Sequence, residues 1–305
     1  MRVLADFAMR GRWQAVGSVA VLGALGVFVP PVSILGGALV ALVALRLGLV
    51  QALFVAGLGS LILGALMFGL TGGNPLVGVL AGLAQWLPLA AMGEVLRQSI
   101  SWRATLSAAA GAAGLMIVLA RLLVPDLEAA WVAVGTQMLD PFIEGGAAAS
   151  AELQSALAQL APYLTGLLAG IFLLSLTLSL LVARYWQALL YNPGAFGVEF
   201  RALQLGRELS IAAVALGLVG HLLSMPLATE LAFVLGVLFF LQGLAVMHAL
   251  TQARQMSSFW LVGMYVLLVI ALPQMFLLLA ALGVIDGVTR LRERFGARKS
   301  DSDPE

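Results

Sequence analysis

Cysteine is absent from this chain of 305 residues, which excludes disulfides, thiolate metal sites and cysteine nucleophiles. Histidine is nearly absent, with only His221 and His248, in separate apolar stretches. The sequence holds no G-x-x-x-x-G-K-[ST], no H-E-x-x-H and no G-x-S-x-G. A phosphate-binding loop, a zinc protease helix and a nucleophile elbow therefore lack their parts. The chain is expected to be no enzyme, to carry no cofactor or metal, and to bind no nucleic acid. Charge is the scarcest commodity of all. Asp, Glu, Lys and Arg make up 10% of the residues, against about a quarter in soluble domains.

What fills the space is apolar: 62% of residues are hydrophobic, and the mean hydropathy is +1.05. So few charges cannot coat a water-facing surface, so the solvent must be largely lipid. Crossing a ~30 Å hydrocarbon core takes about 20 apolar residues in a helix. Nine stretches are candidates: Trp13–Val29, Pro31–Leu45, Leu49–Leu70, Leu76–Leu96, Arg103–Val124, Pro162–Leu190, Glu208–Leu223, Ala228–Leu250 and Phe259–Val284. None alternates as barrel strands do, and helices satisfy their backbone internally. The expected fold is an all-α polytopic bundle. The first two stretches, separated by Pro30-Pro31, read as a tight hairpin or one broken helix. The last, with Pro273 and Gln274 at its centre, reads as one tilted helix or two half-helices folded back.

Lys and Arg set the orientation. Arg2, Arg10, Arg12, Arg46, Arg97, Arg103, Arg184, Arg201, Arg207 and Arg254 fall on turnarounds of one parity. The connection from Leu122 to Ala183 has no Lys or Arg but holds Asp126, Glu128, Asp140, Glu144 and Glu152. That loop is expected outside and the N-terminus inside. The closing "RLRERFGARK" then favours an inside C-terminus and an even number of crossings. One integral domain should cover 1–296, with an external amphipathic loop at 125–160, a cytoplasmic elbow at 191–207 and a disordered polar tail at 297–305. In the loop, Leu127, Trp131, Val134 and Met138 recur at helical spacing, as do Leu153, Leu157, Leu160 and Leu164. Two amphipathic helices separated by Gly145-Gly146 are expected, as an interfacial cuff or as a lid over a pocket.

The most polar stretch is "RYWQALLYNPGAFGVEFRALQLGRE", Arg184 to Glu208. Tyr185, Trp186 and Tyr191 form an aromatic belt, and Asn192-Pro193-Gly194 breaks the helix. Phe196, Phe200 and Leu203 then share one face of a short interfacial helix, with Glu199, Arg201, Gln204 and Arg207 opposite. The stretch reads as a membrane-anchoring elbow or as a docking surface for a partner. Together with "FFLQGLAVMHAL" and the closing "LGVIDGVTRLRERF", it resembles the YybS-like family of bacterial membrane proteins, a domain of unknown function. The resemblance implies a multi-pass protein of the bacterial cytoplasmic membrane with about eight spans. In helix pattern it is also loosely similar to the S subunits of energy-coupling-factor vitamin transporters. The family's closing motif has a second acid where Val288 and Thr289 stand here, so Asp286 remains, four residues before Arg290 at ion-pair spacing.

Polar residues inside lipid are costly and are candidates for function. Gln85, Gln242 and Gln274 fall near the middle of three stretches, as interhelical glue or ligand contacts. Arg121, His221 and Glu230 map near external helix ends, as separate anchors or as the lining of one pocket. Gly78/Gly82, Gly166/Gly170 and Ala20/Ala24 have the spacing that lets helices approach closely. Tyr191, Asn192, Pro193, Phe196, Phe200, Arg201, Asp286 and Arg290 are the partner-facing candidates. The leading expectation is a non-catalytic, small-molecule-binding transporter subunit that works with other membrane subunits, including an energy-coupling module. The alternative is a structural protein that organises other membrane proteins.

Overall fold

A computed structural model describes residues 2–139 and 146–292, and the polar tail expected at 297–305 lies outside them. Among the described residues all regular structure is helical. In order the helices are α1 (Arg2–Met9), α2 (Arg12–Phe28), α3 (Pro30–Leu47), α4 (Leu49–Thr71), α5 (Pro75–Ser99), α6 (Trp102–Leu123) and α7 (Leu127–Leu139). There follow α8 (Gly146–Tyr191), α9 (Ala195–Arg201), α10 (Arg207–Leu222), α11 (Pro226–Ala253), α12 (Phe259–Ile270) and α13 (Leu272–Thr289). Seven of them (α3, α4, α5, α6, α8, α11 and α13) are long and apolar enough to cross a membrane. The chain is a polytopic helical membrane protein. It forms two compact units, one of residues 1–108 and 174–203, the other of 109–173 and 204–305.

In the first unit α2 and α3 form the tight hairpin. Val29 ends one helix, Pro30 opens the next, and Gly26 lies against Ser33 while Gly36 lies against Leu22 and Gly23. Pro suits the first turn because its missing N–H has no helical acceptor there. Helix α4 then runs beside α2 in the same direction, as the pairings Val19–Gly59 and Gly23–Leu63 show, and α5 returns antiparallel to α4, as Ser60–Gly82 and Gly64–Gly78 show. The Gly78/Gly82 pair sits at that α4–α5 seam. A Cβ on Gly78 would come within 2.9 Å of the Gly64 Cα, so neither position tolerates a larger residue cheaply. Trp86, 1% exposed, occupies the space that Gly23, Gly59 and Gly82 leave empty. Arg46, Arg97 and Arg184 gather at one end of this unit. Arg46 lies 4.3 Å from the Tyr191 ring centroid, Arg97 beside Gly48 and paired with Glu94, and Arg184 paired with Glu199.

The stretch departs from expectation in two respects: Trp186, expected in the aromatic belt with Tyr185 and Tyr191, is 0% exposed and packs in the core, and Glu199 does not face away. Gly194 takes φ +91°, Phe196 and Phe200 stack at 5.9 Å, and Leu203 is buried. Glu199, expected to face away, instead turns back on α8, where Arg184 binds it through two of its three guanidinium nitrogens, Nε at 2.9 Å. A half-buried carboxylate and guanidinium within reach gain more from a forked, charge-assisted pair than from separate hydration.

In the second unit α10 and α11 form an antiparallel pair, with Gly220 against Thr229 at the turn. Helices α11 and α13 cross at Gly243 and Gly283. A Cβ on either glycine would strike the backbone carbonyl of the other helix, at Leu279 or Phe239 respectively. The last apolar stretch is not one helix. Ala271 leaves helical geometry (φ −127°, ψ 52°) just before Pro273. Trp260 and Leu282 line one cavity, although a straight helix would separate them by about 33 Å. The stretch is therefore a V.

The second amphipathic segment of the loop is not a separate helix. It is the beginning of α8, which continues for 46 residues through Pro162. At 1.5 Å per residue that is about 69 Å, more than twice the hydrocarbon thickness, so part of α8 stands beyond it.

Candidate functional site

Pro162 has no N–H to give the preceding turn of α8, and its ring disfavours a continuous helix. What supports the helix there is a pair of charges from elsewhere in the second unit. Glu230, in the second turn of α11, is 0% exposed. Its Oε1 accepts from the Gly166 backbone N–H at 2.9 Å, and its Oε2 accepts from Arg121 Nε at 2.6 Å. Arg121, in the last turn of α6, also donates through an η nitrogen to the Pro162 carbonyl at 2.6 Å. In a regular helix the Gly166 N–H would seek the Pro162 carbonyl. Here each of those two groups also meets one member of an ion pair, and the pair bridges three helices across that turn.

Gly166 makes this approach possible, because a Cβ there would collide with the Cα and Cβ of Glu230. Gly170, one turn on, makes ordinary contact with Val237. The close-packing pattern Gly166/Gly170 is thus a slot for a buried carboxylate. His221 does not join the pair: it is exposed at the end of α10 and shares no hydrogen bond with Arg121 or Glu230.

Beside this network lies a groove of about 730 Å³ between α7 and the first part of α8, lined by Glu128, Val132, Thr136, Gln137, Gln154 and Ala161, among others. Helix α7 docks antiparallel on α8, with Gly135 against Leu157 and the Trp131 indole donating to Thr165 Oγ1 at 2.8 Å. The Thr136 hydroxyl, on the groove, is buried and has no hydrogen-bond partner. Among the described residues no basic side chain lines this groove.

A second buried cluster lies toward the other end of the unit. Gln242, 0% exposed, accepts from the Leu205 N–H at 2.9 Å and donates to Asp286 at 2.8 Å. Asp286, also 0% exposed, is met by Arg292, 2.7 Å away. The helix ends at Thr289, and Arg290, four residues after Asp286, takes a left-handed conformation (φ 53°). The chain thereby turns back and presents Arg292 to the carboxylate. Of the remaining glutamines, Gln85 is half-buried, with a long 3.4 Å bond to the Ser33 carbonyl, and Gln274 is exposed beside the apex of the V. The elbow candidates Tyr191, Asn192 and Pro193 are exposed, while Phe196, Phe200 and Arg201 are half-buried. Among the described residues no group of three or more His, Asp or Glu converges as metal ligands would.

The model of a family of predicted membrane proteins, DUF2232, fits residues 18–287. The chain belongs to this family. Searches of curated proteins and of solved structures find no match. In this DUF2232 protein the matched segment contains Arg121, Glu230, Gln242 and Asp286, and Arg292 lies just beyond it. Sequence reading named Arg121 with Glu230 but missed Pro162 and Gly166 as their backbone partners. The signal was a proline four residues before a glycine, inside an apolar run.

Proposed function

We propose that this DUF2232 protein is a non-catalytic membrane subunit that binds a small, partly apolar ligand at the α7–α8 groove. The carrying observation is the groove itself, where Glu128, Thr136, Gln137 and Gln154 meet alanine and valine surface. Its volume falls in the range of about 300–1,000 Å³ usual for ligand pockets, and a few polar groups on an apolar wall fix orientation in such sites. Acid without base on the lining favours a cationic or hydrogen-bond-donating ligand over an anion. The groove belongs to the stretch with no Lys or Arg, which supports an external location under the positive-inside rule, with the basic ends and both termini in the cytoplasm. On this reading partner subunits supply any energy, since the chain has no phosphate-binding loop of its own.

The test is native mass spectrometry of protein extracted in mild detergent. A bound small molecule should be retained by the native protein and lost in Thr136→Val and Glu128→Gln. Retention by both variants would place the ligand elsewhere. Co-purifying membrane proteins with no small molecule would favour the organising role.

A further inference from the structure

Helix α12 is almost unpacked. Of its residues only Met264 is buried, whereas Phe259, Trp260, Val269 and Ile270 are 81%, 63%, 81% and 76% exposed. Between it and α13 lies a cavity of about 610 Å³ lined by Met247, Met264, Leu267, Met275, Leu278 and Leu282, among others, with Ser257 as the one hydroxyl. Apart from Ser257 and the Trp260 indole, the lining residues offer no side-chain polar group. Methionine is flexible and polarizable, and lines surfaces that adapt to irregular apolar partners. A hydrocarbon chain, which has no polar group to satisfy, matches the almost wholly apolar lining of this wedge.

The open end of the V has the opposite character. There α11 ends at Arg254, α13 ends at Arg290, and both arginines are exposed. Ser257 and Ser258 lead into the first turn of α12, whose N-terminal end carries partial positive charge. Phe259 and Trp260 supply the amphipathic rings found at headgroup depth. We propose that the wedge holds one acyl chain of an anionic phospholipid, with the headgroup phosphate at the Arg254–Arg290 rim. The site is separate from the α7–α8 groove and stands whether or not that groove binds a ligand.

The test uses the full chain in phosphatidylcholine nanodiscs doped with phosphatidylglycerol bearing a diazirine in one acyl chain. Photoadducts should concentrate on α12 and α13, and unlabelled phosphatidylglycerol should displace them much better than phosphatidylcholine does. Gly263→Leu should diminish them by occluding the wedge, because nothing lies within 4 Å of a Cβ there to obstruct the new side chain. Arg254→Gln and Arg290→Gln should each reduce the preference for phosphatidylglycerol by about fivefold. Equal competition by the two lipids, adducts spread evenly over the other helices, an unaffected Gly263→Leu variant, or cross-links to a second polypeptide would each overturn the proposal.

Discussion

Replacing Glu230 with Gln keeps the shape of the side chain and removes its charge. In the native protein the carboxylate is fully buried and accepts from Arg121 at 2.6 Å and from the Gly166 N–H at 2.9 Å. The variant has one carbonyl oxygen for those two donors, and its amide N–H₂ turns donor against donor. Breaking a fully buried pair from one side costs about 3–5 kcal/mol, because the other charge stays behind. Arg121 retains 24% of its side-chain exposure and its bond to Pro162, so some solvent screening remains and the expected loss is about 2–3 kcal/mol. Reversible unfolding in mixed micelles, titrated with a denaturing detergent, measures it. The double variant Arg121→Met with Glu230→Leu should recover most of the loss, since it leaves no orphaned charge. A Glu230→Gln protein within about 0.5 kcal/mol of native, the range of an ordinary surface change, would refute the claim that the pair supports α8. A double variant no better than the single one would refute the electrostatic account of that support.

Gly243→Ala and Gly283→Ala should each destabilise by about 1–3 kcal/mol or more through overpacking, whereas Gly57→Ala, with nothing within 4 Å of its Cβ, should be neutral in the same unfolding assay. In the elbow, Glu199→Gln should cost about 0.5–1 kcal/mol because it breaks the forked pair to a part-exposed Arg184. Phe200→Asp should cost more, by placing a carboxylate against the Phe196 ring; the reverse order in detergent melts would contradict the packing described. Because the chain has no cysteine, single substitutions report sidedness. Ala148→Cys should react with an impermeant thiol reagent in intact cells, and Asn192→Cys and Ser300→Cys should be protected. Labelling at Ser300 would mean that the V crosses the membrane once.

The α7 helix and the break at Asn192-Pro193-Gly194 were legible in the sequence because their signals are local: one apolar stripe, and one run of residues that cannot extend a helix. The buried ion pair was half legible. Its charges stand out against an apolar background, but Arg121 and Glu230 are 109 positions apart, and nothing local says that one Oε meets Gly166. The isolation of His221 was equally invisible, because a residue's distance from a helix end fixes its depth and not the direction it faces.

Composition alone determined that lipid is the main solvent, and lipid in turn leaves helices as the way to close every backbone hydrogen bond. The lengths of the apolar runs then placed most of the helices. Tertiary structure decided the rest: that α8 passes through Pro162, that Asp286 meets Arg292, that Phe259–Thr289 folds into a V, and that Gly243 and Gly283 mark a crossing. The physical reason is common to all four. A helix apolar on every side carries no stripe to say which face meets a neighbour, so packing and the few buried polar groups make that choice.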